Sequence, residues 1–201
     1  MDETLITTAQ TLIDAKEYPP THSYDAKTLM PRYPLDQRWS LLRTHCKDMF
    51  VAYRFLDVGC SKGFFSLMAA GHSARVVSID PDQEALDCWA GICPPNVEQH
   101  CIGFKDFHAH TRFDSIWIGN GHHYLYREDP DYIEHLADLS SSGVVIEGPT
   151  GPECREMEAF GAYQHEKDFL EAMAPHFELI NRIPSPSYTP GRAVWQFYKT
   201  N

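Results

Sequence analysis

Three groups of residues in this sequence have types and spacings suited to chemistry. The first is a turn. In Phe55-Leu56-Asp57-Val58-Gly59-Cys60-Ser61-Lys62-Gly63-Phe64-Phe65, a short apolar run passes through two glycines into a helical pattern. Glycine lets the backbone approach a ligand closely and take angles closed to other residues. The first strand-to-helix turn of an open α/β sheet also lies at the carboxyl edge, where ligands bind. The second group is a pair of carboxylates: Asp57 stands two residues before Gly59, and Asp80 closes the next apolar run, Val76-Val77-Ser78-Ile79-Asp80. A carboxylate at that second position can accept from both hydroxyls of a ribose. The third group is His122-His123, followed by Tyr124 and Tyr126, together with Glu147 in Ile146-Glu147-Gly148-Pro149. Imidazole moves protons most readily near neutral pH. His123, or else His122, therefore suits deprotonating or positioning a hydroxyl or amine, with Glu147 as a further acid-base group. The other reading is that the imidazoles are packed and inert and that Glu147 makes a structural contact.

These residues need a scaffold, and the pattern supplies one. Short apolar runs at 55–58, 76–79, 97–102, 113–118 and 144–146 alternate with helical stretches at 64–70 and 82–89 and a helix opened by Asp129-Pro130. Strand and helix in alternation predict parallel βαβ units, here five strands long. A helix around 167–174, stopped by Pro175, precedes runs at 177–183 and 193–198, which are joined by a proline-rich loop and predict an antiparallel pair at the sheet edge. Upstream, Leu5, Ile6, Ala9, Leu12 and Ile13 recur at helical spacing. Residues 16–35 hold Pro19, Pro20, Pro31 and Pro34, which predicts a long loop. Asp36 is placed to cap a second helix reaching about Asp48, with Trp39, Leu42, Cys46 and Met49 inward. The loop also carries Tyr18, His22, Tyr24, Arg32 and Tyr33, side chains suited either to a lid that excludes water or to packing of the first helix. One domain over 1–201 is expected, with helices and lid-like loop at 1–50 and the core at 51–201.

Composition narrows the partners. The 201 residues, 43% of them apolar, can bury one sizeable core. No run reaches the roughly 18 apolar residues of a membrane helix, and Met1-Asp2-Glu3 lacks the layout of a signal peptide, so a cytoplasmic protein without membrane contact is expected. The six cysteines form no C-x-x-C pair, and their spacing predicts reduced thiols without a metal. A formal charge of -11 makes long nucleic acid an unlikely partner, because such binding rests on Lys and Arg displacing counterions. Oligomeric state is not readable.

The sequence "LDVGCSKGFFS" (residues 56–66), with Asp80 ending the next strand, resembles the class I S-adenosylmethionine (SAM)-dependent methyltransferases. Their first motif is an acid, a glycine loop and a helix. The outer glycines of a dehydrogenase G-x-G-x-x-G lie five apart, whereas Gly59 and Gly63 lie four apart. The resemblance implies a doubly wound, Rossmann-like α/β fold with a mostly parallel seven-stranded sheet, an antiparallel last strand and N-terminal helices. It implies SAM as cofactor, held by Asp57 near the methionine ammonium, Gly59, Cys60, Ser61 and Gly63 in the turn, and Asp80 and Pro81 at the ribose. Phe104 would lie beside adenine, and Gly119 and Asn120 at the methionine end. Ser61 stands where the family often has glycine, and the family's frequent acid near Phe104 is absent.

The His pair after the fourth strand and the Glu after the fifth are similar to the methyltransferase part of bacterial polysaccharide chain-terminating enzymes and to RNA 5′-phosphate-capping methyltransferases. That likeness implies O-methylation of a small molecule or saccharide, possibly phosphorylated, with an RNA end or a nitrogen acceptor as the alternative. A phosphate acceptor would need no base, only cations such as Lys62, Arg32, Arg38, Arg127, Arg155 or Arg192. A non-catalytic SAM-binding module is the alternative of another class.

Overall fold

The computed structural model describes residues 35–119, 121–150, 163, 165–185 and 192–200. The expected helix at 2–15, the loop at 16–34, the loop at 186–191, Arg155 and Asn120 lie outside the described residues.

The chain runs α1 (Leu35–His45), β1 (Arg54–Val58), α2 (Phe64–Ala70), β2 (Arg75–Asp80), α3 (Gln83–Ala90), β3 (Val97–Cys101), β4 (Phe113–Gly119), α4 (His122–Glu128), α5 (Tyr132–Leu139), β5 (Ser140–Pro149), α6 (Glu166–Met173), β6 (Phe177–Pro184) and β7 (Arg192–Lys199). Short 3-10 turns span Lys47–Phe50 and Phe104–Asp106. The strands form one seven-stranded sheet in the order β3-β2-β1-β4-β5-β7-β6. Neighbours from β3 through β5 pair parallel, and β7 pairs antiparallel with both β5 and β6. The order reverses between β2 and β4 around β1, which puts a crevice at the carboxyl end of β1.

Both faces of the sheet are covered, so the central strands are apolar on both sides. Leu56, Val58, Ile116, Ile118, Val144, Ile146 and Trp195 pack with Leu125 of α4, Tyr132 and Leu136 of α5, and Phe169 and Met173 of α6. Phe55, Trp117, Val145 and Val194 face the other way, onto Trp39 and Leu42 of α1 and Met68 and Ala69 of α2. Each large side chain removed from water contributes about 1.5–3 kcal/mol. Asp82 caps α3 by accepting from the Ala85 amide at 3.2 Å.

Three elements differ from the sequence expectation. Helix α1 begins at Leu35, one residue ahead of the expected Asp36 cap. The helix expected to open at Asp129-Pro130 starts at Tyr132, after a separate helix α4 that carries the His pair on its first turn. Strand β5 extends well beyond residues 144–146 at both ends. Its Ser140-Ser141-Ser142-Gly143 start has turn composition, yet Gly143 pairs with both Ser115 and Tyr198. A Cβ on Gly143 would stand 2.4 Å from the Phe197 carbonyl oxygen, so glycine there is what lets β7 come alongside.

Candidate active site

The turn after β1 is bent by three left-handed residues in five: Gly59 (φ 70°), Ser61 (φ 48°) and Gly63 (φ 74°). Its backbone is tied to the end of β2. The Gly59 and Cys60 amides donate to the Ile79 carbonyl at 2.9 and 3.1 Å. The Ser61 amide donates to Asp80 Oδ2 at 2.8 Å, and the Asp82 amide to Asp80 Oδ1 at 2.9 Å. Each oxygen of Asp80 is thus aimed by one backbone N–H and keeps lone pairs for a ligand. A serine in the left-handed region costs about 1–2 kcal/mol. The bonds from its own amide and from Trp89 Nε1 to its carbonyl, at 3.2 Å, offset that cost.

The two glycines do different work. A Cβ on Gly59 would meet nothing within 4 Å, so this face of the turn is open to a ligand. A Cβ on Gly63 would stand 2.3 Å from the indole of Trp89, which is wholly buried beneath the turn. Gly63 therefore seats α3 against α2. Sequence reading assigned both glycines to a ligand and did not single out Trp89.

Asp57, only 1% exposed, ends in a hydrogen-bonded chain: Ser66 Oγ donates to its Oδ2 at 2.5 Å, and Ser78 Oγ donates to Ser66 Oγ at 2.7 Å. Burial pushes the Asp57 carboxyl up to about 7, with the nearby charge of Asp80 adding to the rise and the Ser66 hydroxyl opposing it. Asp80 is raised too, chiefly by burial. A cationic group arriving here restores charge to Asp57. Burial pushes the Cys60 thiol well above its usual range, so it stays an SH rather than a thiolate that would compete as nucleophile. Pro81 lies exposed at the mouth. Phe104 is 3% exposed and packs its ring on His135, centroids 4.7 Å apart, within the core below β3. Gly119 ends β4, where a Cβ would crowd Trp117 Nε1 at 2.9 Å.

Across the β4 end the chemistry changes. His122 is wholly buried between Phe169 and Trp195, with ring centroids 5.0 and 5.9 Å away. A Cβ on Gly148 would fall 2.1 Å from its ring. Burial pulls the His122 imidazole down to about 3, and His123 and Arg192 push the same way, while the Pro149 carbonyl acts weakly against them. It is a neutral ring at any ordinary pH. His123, 1% exposed, lies tilted against Tyr124 with ring centroids 4.2 Å apart and meets His122 edge-on at 5.8 Å.

Glu147 on β5, also 1% exposed, is held at both oxygens: Arg38 of α1 donates to Oε2 in a buried ion pair, and Ser185 Oγ donates to Oε1. The Arg38 guanidinium lies over the Phe65 ring at 4.8 Å, so one side chain joins α2 to β5. Ser185 takes its place through its amide, which donates to the Arg192 carbonyl at 3.1 Å. Sequence reading counted Arg38 as one cation among six and named Ser185 only as the start of a loop at this edge, without pairing it with Glu147. The structure thus brings Asp57, Gly59, Cys60, Ser61 and Asp80 together on one side of the crevice. It brings His122, His123 and Glu147 to the β4-β5 side, with Phe104 set in the core.

Comparison with known proteins bears on what binds here. Residues 55–143 match the family model described as a methyltransferase domain. No curated protein matches the chain. Among solved structures, the N-methyltransferase NodS of Bradyrhizobium japonicum WM9 in complex with S-adenosyl-L-homocysteine (SAH) superposes with a TM-score of 0.72 at 16% identity, covering 96% of this chain and 99% of that one. A putative SAM-dependent methyltransferase of Listeria monocytogenes gives 0.65 at 16% identity, covering 84% and 100%. Magnesium protoporphyrin IX methyltransferase (ChlM) of Synechocystis PCC 6803 with bound SAM gives 0.63 at 15% identity, covering 82% and 79%. No described helix is long and apolar enough to cross a membrane.

Proposed function

We propose that this chain, whose residues 55–143 match a methyltransferase-domain model, is a class I, SAM-dependent methyltransferase that O-methylates a small molecule or saccharide, possibly phosphorylated, at the crevice above β1 and β4. One observation carries this reading: an open-faced Gly59 turn stands beside an Asp80 carboxylate already aimed by two backbone amides. The residues fit the cofactor. Asp80 accepts from the ribose hydroxyls, with Pro81 at the rim. Asp57 faces the ammonium of the methionine end. The chain around Gly59, Cys60 and Ser61 would form the wall, the Gly103-Phe104 turn would border adenine, and Gly119 at the end of β4 would border the methyl group. When bound, SAM supplies a methyl group carried on a sulfonium.

The acceptor side handles the second substrate. His123 takes the proton from the acceptor hydroxyl or fixes its position. His122 keeps α4 seated on β5 and stays neutral, and Glu147 acts through Arg38 and Ser185 rather than as a free base. The shared fold of NodS, an N-methyltransferase, supports a second reading, a nitrogen acceptor.

Calorimetry with SAM and SAH tests the cofactor, and no heat with either would sink the assignment. Release of SAH on adding metabolite pools separates an enzyme from a binding module. His123→Ala is expected to leave SAH affinity intact and slow turnover about 100-fold; unchanged turnover would remove His123 from the mechanism.

A further inference from the structure

We propose that Arg38 is a specificity-determining residue that binds an oxyanion of the methyl acceptor, with Glu147 as the internal partner which that anion displaces. This rests on the methyltransferase reading and names the substrate class of its acceptor side. Arg38 is 6% exposed, and its guanidinium lies between Phe65, at the start of the helix that leaves the glycine turn, and Glu147, near the end of β5. It therefore spans the crevice edge from donor side to acceptor side. Among the described residues its buried Nε has no hydrogen-bond partner, so a fixed positive charge is short of one oxygen. Buried charged donors are rarely left so, because the missing bond costs more than for a neutral group. A guanidinium offers its N–H groups in a planar fork that matches two oxygens of a carboxylate or phosphate.

Glu147 can give way without being stranded. Ser185 holds its other oxygen, so Arg38 can turn to a ligand while the carboxylate keeps a donor. An acceptor that carries a carboxylate or phosphate takes the place of Glu147 on the fork and is fixed relative to the methyl donor. A neutral acceptor leaves the internal pair closed and is held less firmly.

The test uses the full chain saturated with SAH and two probes, inorganic phosphate and acetate, titrated by calorimetry and by the Arg Nε–H NMR signal. At least one probe is expected to bind and shift one Arg Nε–H resonance, and the stronger of the two identifies phosphate or carboxylate as the favoured oxyanion. Arg38→Met is expected to weaken that probe about tenfold or more with SAH affinity unchanged, and Arg38→Lys to recover part of it. Glu147→Gln is expected to tighten the probe, since the internal competitor loses its charge. Binding of neither probe, equal probe affinity in Arg38→Met, or loss of SAH affinity in that variant overturns the proposal, the last by making Arg38 part of the donor site. If Arg38→Met does not fold, Glu147→Gln decides, and unchanged probe affinity overturns the proposal. Failure of wild-type protein to bind SAH is a separate result, against the cofactor itself.

Discussion

The donor and acceptor sides of the crevice are built in opposite ways. On the donor side, the turn from Asp57 to Gly63 is shaped by its own backbone angles and tied to residues that follow closely in the chain, Ile79 and Asp80 at the end of β2 and Trp89 on α3. On the acceptor side, the ion pair joins Arg38 to Glu147 across 109 residues, and Ser185 reaches Glu147 across 38. A site made of neighbours is set by local geometry. A site made of distant side chains depends on the whole sheet being assembled, and it can change its contacts without disturbing the turn. The donor side can thus stay fixed while the acceptor side varies.

The largest expected effect is on the donor side alone. Asp80→Ala removes the carboxylate proposed to hold two ribose hydroxyls, which at about 2 kcal/mol per charge-assisted bond amounts to roughly a thousandfold loss of SAH affinity by calorimetry. Anion binding on the acceptor side should survive, and its loss would show that the two sides are one unit. Next comes the division between the glycines. Gly63→Ala puts a methyl group into the Trp89 ring at a left-handed residue and should cost about 3 kcal/mol in urea unfolding. Gly59→Ala meets open space and should cost about 1 kcal/mol, the backbone penalty alone, while lowering SAH affinity. Equal stability losses in the two would erase the distinction.

The smallest effects are in pH dependence, and here the sides have opposite signs. Asp57 is raised from 3.8 to about 7 in the folded state. Its contribution to stability is full below the unfolded value and is lost as pH rises toward 7. His122 is lowered from 6.5 to about 3. Its contribution is full above 6.5 and is lost as pH falls toward 3. Each slope is at most about 1.4 kcal/mol per pH unit. Between pH 4 and 6.5 the two oppose each other. Relative to wild type, Asp57→Asn should steepen the loss of stability in acid, and His122→Phe should lessen it, as read from urea midpoints at pH 5 and 6.5. The same Asp57 shift predicts that SAM, whose ammonium favours the ionised carboxylate, binds more weakly as pH falls below 7; a flat affinity from pH 5.5 to 8 would separate Asp57 from that group.

The contrast also explains what could be read from the sequence. Gly59, Gly63 and Asp80 announce themselves because glycine and a strand-ending acid at fixed offsets have few other uses, and the strand alternation gave the sheet. Boundaries failed where tertiary pairing overrode local composition, as at Ser140-Ser141-Ser142-Gly143, which β4 and β7 draw into a strand. Trp89 was missed because its role is visible only from beneath Gly63. Arg38 was one cation among several, since nothing in the residues around it refers to Glu147. Phe104 comes just after β3, and nothing in the residues around it announces that its ring packs on His135.

Strand β7 has a consequence for the order of assembly. It lies between β5 and β6, although it follows both in the chain. Until β7 arrives, β5 has an open edge and β6 has nothing in the sheet to pair with. Ser185 and Arg192 take their places only with that pairing, so the acceptor side acquires its shape after the donor turn. A newly made chain can hold a formed donor turn while that edge is still exposed, a period in which a neighbouring chain's strand competes for the same backbone groups.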